Sequence, residues 1–251
     1  MKTLISDYLL YPPNLPDEHI RALTGALKNG LFLDKPIPYD KFADITYESE
    51  FNGLEKPNSS IVKMSKKEHV DSFFKNGTLQ LGTFEYYRSH ENEEVKDIEE
   101  GSTILVGSNS KNTAVVTITG GFDHYTFCCF DGDADPEVIK KFEYDSYFEI
   151  IDPVGFQQAI SKKLNAVFSM KSRCIYKNDK VLVSQVSEEF NFGVLSSHME
   201  TLGDISKFYI KNKRFSHQNE FRFTWKLPND IKKPIIMDFP EAIEFCKKWK
   251  N

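Results

Sequence analysis

Gln218, Glu220 and Arg222 follow one another at alternate positions late in the chain. If this stretch is a strand, its successive side chains point to opposite sides, so the three share one face at roughly 7 Å per pair. Phe221, Phe223 and Trp225 then share the other face and seek a core. An amide that both donates and accepts, a carboxylate and a guanidinium are the groups that orient and stabilise a charged reaction centre. The same pattern also describes an ordinary exposed strand face with a Glu220–Arg222 ion pair.

The surrounding sequence supplies elements to hold such a strand. Ser60 to Met64 reads as a short strand. Ser65-Lys66-Lys67-Glu68 reads as a capping box opening a helix that runs to Lys75 and stops at Asn76-Gly77. Thr78 to Phe84 is a second strand. Strands are expected over Ala114 to Thr119 and Tyr125 to Phe130, joined through Gly120-Gly121, and over Tyr147 to Ile151. Asp135-Pro136 and Asp152-Pro153 each open a helix with Pro in the first turn. Arg173 to Tyr176 and Val181 to Val183 flank Asn178-Asp179, a hairpin signal. Asp204 caps a helix through Phe208, Glu220 to Leu227 is the alternating strand, and Pro240 to Lys250 reads as a terminal helix. Strands and helices mix without strict βαβ alternation, so the expected class is α+β with a twisted, mainly antiparallel sheet and flanking helices. Residues 1–55 are rich in Pro around one helix, Asp17 to Lys28, and are expected to be an irregular accessory segment ahead of a main domain at 56–251.

Bulk composition narrows the classes. The 251 residues suffice for one large domain. The net charge of −5 does not attract nucleic acid over the whole surface, which leaves only a local basic patch to do so. No apolar run approaches the roughly 18 residues that span a bilayer. Cys128, Cys129, Cys174 and Cys246 form no disulfide framework and no zinc spacing. A cytoplasmic setting without membrane attachment is the expectation.

Phe215, Gln218 and Glu220, an aromatic followed by Gln-x-Glu at the head of an apolar strand, resemble the ADP-ribosylating turn-turn loop of bacterial mono-ADP-ribosyltransferases. The strand–helix–strand from Ile61 to Phe84 resembles the opening of that fold. Tyr87-Arg88, the Asp97 to Gly101 loop and Glu220-Phe221-Arg222 are also similar to blocks in prophage and phage-defence proteins. The resemblance implies an ADP-ribosyltransferase-like domain that takes NAD as substrate. Glu220 would stabilise the ribosyl cation and Gln218 would position the acceptor. In that family Gln at this position accompanies amide or base acceptors, and Phe215 would contact the acceptor. The pyrophosphate would be held by Lys63, which stands where the family has Arg or His, or by Arg88. Arg222 would contribute to cofactor binding, and Tyr86 and Tyr87 would line the nicotinamide pocket. A toxin or phage-defence effector, with an antitoxin or phage protein as partner, is the implied setting. A non-catalytic binding module of the same fold is the alternative.

Two further clusters bear on partners. Lys207, Lys211, Lys213 and Arg214 precede the strand, and Lys207 and Lys211 share a face if the helix reaches that far. With Phe215 they could hold an RNA or DNA backbone while a base enters the pocket. The acidic loop from His90 to Gly101 has no calcium-loop spacing and reads as a flexible charged loop, or as a metal site in a nucleic-acid-processing enzyme.

Overall fold

The computed structural model describes residues 4–28, 42–189 and 207–249. Strand β1 (Leu4–Tyr11), helix α1 (Asp17–Lys28) and strand β2 (Ile45–Tyr47) open the chain. Then come β3 (Ile61–Ser65), α2 (Lys67–Asn76), β4 (Thr78–Thr83) and α3 (Phe84–Arg88). Strands β5 (Ser102–Ser108), β6 (Thr113–Thr119) and β7 (His124–Asp131) precede α4 (Pro136–Lys141), β8 (Ser146–Ile150) and α5 (Pro153–Leu164). The last part holds β9 (Phe168–Arg173), β10 (Ile175–Lys177), β11 (Val181–Gln185), β12 (Ile210–Asn212), β13 (Glu220–Lys226), β14 (Ile235–Asp238) and β15 (Cys246–Lys248).

The fold is α+β, with two multi-stranded sheets and few helices. A five-stranded sheet has the order β1-β6-β5-β11-β2, and an eight-stranded sheet runs β14-β4-β7-β3-β8-β15 with β13 and β9 branching from β7. Most pairs are antiparallel, whereas β11 pairs both neighbours in parallel and β10 pairs β12 in parallel.

The N-terminal segment is not the irregular appendage its prolines suggest. β1 lies along β6 and β2 along β11, so residues before position 55 complete the sheet formed by residues 102–119 and 181–185. Only α1 matches the expectation there; the expected Asp204 cap lies outside the described residues.

Several local readings are also corrected. α2 carries no capping box: its N-cap is Lys66, and the Lys67 N–H donates to the Asp145 carboxylate at 2.5 Å, a cap supplied from far along the chain. The helix does end at left-handed Gly77, where a Cβ would fall 2.4 Å from the Phe239 carbonyl carbon. β6 and β7 are joined through Gly120-Gly121 as expected, and that connection carries the chain from one sheet to the other. Asn178-Asp179 likewise joins strands of different sheets. The C-terminal stretch is a 3₁₀ turn (Pro240–Phe245) followed by β15, not a long helix.

β13 lies inside the large sheet, paired with β7 on one side and β9 on the other. Phe221, Phe223 and Trp225 are fully buried on one face with Phe127, Phe148, Phe156 and Phe73. Burial of side chains this size stabilises by roughly 1.5–3 kcal/mol each. Trp225 satisfies its indole N–H on the Gln157 carbonyl at 3.1 Å.

Candidate functional site

The opposite face of β13 is also buried. Glu220 is 5% exposed and Arg222 1% exposed, and Arg222 lies against a buried cluster that holds Phe84, Phe208 and Tyr209. A charge in such a place must be paired and hydrogen-bonded. Arg222 Nε donates to Glu220 Oε1 at 2.5 Å, and its Nη1 donates to Glu100 Oε1 at 2.6 Å and to the Phe208 carbonyl at 2.7 Å. Lys211 Nζ donates to Glu220 Oε2 at 2.6 Å and to Gln218 Oε1 at 2.8 Å. The Glu220 backbone N–H donates to the Tyr176 hydroxyl at 2.7 Å.

These contacts set the electrostatics. Burial alone would raise the Glu220 carboxyl, but Arg222 and Lys211 outweigh it and hold the group well below the usual carboxylate range. Burial opposes the charge on Lys211, yet Glu220 and Glu100 raise its pKa overall. Desolvation drives the Tyr176 and Tyr87 phenols up, so both stay neutral. Glu220 is therefore held in its anionic form by its cationic neighbours, with both oxygens engaged.

Gln218 does not lie on the strand. It ends a 3₁₀ turn (Lys213–Gln218), and Asn219, left-handed at φ 36°, links it to β13. Gln218 still reaches the same place as Glu220, because Lys211 ties both and Gln218 Nε2 donates to the Glu94 carbonyl at 2.7 Å.

β3 and β4 fork over β7. β4 pairs with β7 at Tyr125 and Thr126, and β3 pairs with it at Phe130 and Asp131. Between these points a hollow of about 120 Å³ opens, lined by Lys63, Tyr87, Cys128, Lys211, Gln218 and Glu220, with Arg222 and Glu100 at its wall. Lys63 Nζ donates to the Cys128 carbonyl at 2.8 Å and lies 4.5 Å over the Phe127 ring. Among the described residues it makes no ion pair. Tyr87 reaches the hollow because Gly82 has no side chain: a Cβ there would fall 2.6 Å from the Tyr87 hydroxyl. Thr83 caps α3 through the Tyr86 N–H at 3.1 Å and so presents both tyrosines.

Other expected site residues stand elsewhere. Arg88 lines neither this hollow nor the one beside it. It donates to the Glu100 carbonyl at 2.7 Å and covers the Phe122 ring. Phe215 is 3% exposed and packs under Lys211 and Arg214, so it supports the ammonium and does not face an acceptor. Tyr86 lines the adjoining hollow. The basic run is not a surface stripe: Lys207 and Lys211 are buried, Lys213 and Arg214 are exposed, and Arg214 donates to the Lys96 carbonyl.

Asp97 and Glu100 carry weight that the sequence did not disclose. Each is 2% exposed. Asp97 pairs with Lys180 at 2.9 Å and Glu100 with Arg222, which pins the acidic loop against the site. Burial would raise the Asp97 carboxyl, and Lys180 brings it below its ordinary value. The one signal was that two acids stand three apart beside Gly101 in an otherwise polar loop. Among the described residues no group of three or more His, Cys, Asp or Glu is placed to hold a metal ion. No described helix is long and apolar enough to cross a membrane. No family model, curated protein or solved structure matches the chain.

Proposed function

We propose that the forked cleft binds NAD and that the protein transfers ADP-ribose to a macromolecular acceptor, a nucleic-acid base or a protein side chain. The observation that supports this best is the convergence of Glu220, Gln218, Tyr87 and Lys63 on one hollow. Cleavage of the bond between ribose C1′ and the nicotinamide nitrogen leaves its electron pair on that nitrogen, and positive charge builds on the sugar. A carboxylate held in its ionised form by neighbouring cations stabilises that charge. The proton that the acceptor loses as it bonds to C1′ passes to solvent. Gln218, ordered by Lys211 and the Glu94 carbonyl, offers its amide to the acceptor. Lys63, free of any carboxylate among the described residues, suits a pyrophosphate as a point charge. The ADP-ribosyltransferase-like fold and the toxin or phage-defence setting belong to this same proposal.

One observation favours a second reading, a binding module without turnover. Both Glu220 oxygens are already engaged by cations, which blunts the field a ribosyl cation would feel. Incubating the purified protein with NAD labelled on the adenylate and a bacterial lysate separates the two. Transfer of label to macromolecules that disappears with Glu220→Gln and falls with Gln218→Ala supports the transferase. Label that persists in Glu220→Gln removes it. NAD binding without label transfer establishes the binding module.

A further inference from the structure

A second hollow, of about 290 Å³, adjoins the first and shares Lys63 and Tyr87 with it. It lies between α2, β4 and α3, where β3 and β4 diverge. Its volume falls at the small end of ligand sites, which run to roughly 300–1,000 Å³. Its lining differs in kind from that of the first hollow. Lys63, Lys66, His69 and His90 face it, and among the described residues no Asp or Glu does. Neither lysine makes an ion pair among the described residues. Aromatic side chains supply much of the remaining wall, Phe127 and Phe148 together with Tyr86 and Tyr87.

One donor is fixed in direction. His90 Nδ1 accepts the Asn92 backbone N–H at 3.0 Å, so that nitrogen carries no proton. The ring proton is therefore on Nε2, which lies 2.9 Å from the Tyr86 hydroxyl and donates to it. With its oxygen accepting from His90, Tyr86 retains its own O–H to offer elsewhere, on a residue that lines the hollow. Two unpaired ammonium groups, a free hydroxyl donor and aromatic walls without a carboxylate match an anion carried on an aromatic ring system.

We propose that this second hollow binds a nucleoside 5′-monophosphate unit, with Lys63, Lys66 and the Tyr86 hydroxyl as its phosphate donors. The proposal deepens the NAD reading, because that unit is the adenylate half of the dinucleotide. It stands on its own lining, however, and is tested without NAD.

The test is calorimetric titration of the full chain with AMP, adenosine and inorganic phosphate. AMP is expected to bind at least tenfold more tightly than either fragment. Lys66→Ala, at an exposed position, and Tyr86→Phe, which removes one hydroxyl, should each weaken AMP at least threefold with an unchanged melting temperature. Lys162→Ala, an exposed lysine on α5 that lines neither hollow, should leave AMP affinity unchanged. No AMP binding at millimolar concentration, equal affinity for adenosine, or indifference to both Lys66→Ala and Tyr86→Phe overturns the site. AMP binding with these dependences but no transfer of label from NAD would leave the site standing and remove the transferase reading.

Discussion

Arg222 Nε meets Glu220 Oε1 at 2.5 Å although the two residues stand two positions apart on one strand, where backbones are separated by roughly 7 Å. Their side chains lean together over the buried face of β13, and Arg222 spends its remaining donors on Glu100 and the Phe208 carbonyl. The intrastrand pair is therefore part of a chain of alternating charge, Glu100–Arg222–Glu220–Lys211, that closes the interior beneath the first hollow.

Removing one charge from that chain should be costly. Glu220→Gln keeps the shape and leaves Arg222 and Lys211 facing a single carboxylate. Breaking a buried pair costs about 3–5 kcal/mol. Urea unfolding followed by tryptophan fluorescence should show a loss of that order. A loss under about 1 kcal/mol would mean that the pair is solvated in the folded protein.

The same pairs set a pH dependence. Glu220 and Asp97 have carboxyls held below their ordinary values of 4.5 and 3.8. Their contribution is present above those values and is lost as the pH falls below them. Lys211 is raised above 10.5, so its contribution is complete below that pH and is lost as the pH climbs through the raised value. Stability should be nearly flat in between. Denaturation midpoints across the acid range should fall steeply below pH about 4.5, and less steeply in Glu220→Gln. An identical acid limb in the variant would contradict the assignment.

All four cysteines are free, and burial raises every one of their thiols, Cys128 to about 11 with Glu220 adding to the effect. At neutral pH the native protein should react slowly with iodoacetamide and quickly once unfolded. Mass spectrometry of labelled native protein checks this. Rapid modification of Cys128 alone would reveal a thiolate in the first hollow. Cys128→Ser should keep any NAD-dependent labelling.

The apolar face of β13 should be as demanding as the polar one. Phe223 is fully buried and packs against Phe156, Phe221 and Trp225. Phe223→Ala should destabilise by about 3–5 kcal/mol through lost transfer energy and a residual cavity. A thermal melt indistinguishable from that of the parent would show that the site collapses without cost.

Local signals in the sequence were legible where short-range physics decides the outcome. The start of α1, the Gly77 stop and the Asp-Pro helix starts follow from capping and proline geometry. The two faces of β13 follow from its alternation. What alternation does not reveal is cover. Glu220 and Arg222 look like a solvent face because polar residues usually are one, and they are buried because Glu100 and Lys211 neutralise them. Glu100 lies more than a hundred positions away, and only the folded chain brings it there. The same blindness to distance made residues 1–55 look irregular, since the partners of β1 and β2 are β6 and β11. Lys207 and Lys211 were read as a helix face, but the chain turns from helix to strand between them.

Where β3 and β4 part over β7, Lys63 reaches across and gives its ammonium group to the Cys128 carbonyl. The ladder thus borrows a rung from a side chain. An ammonium group carries three N–H donors, so a guest anion that recruits it leaves the carbonyl its bond, and the one amine then ties guest to sheet.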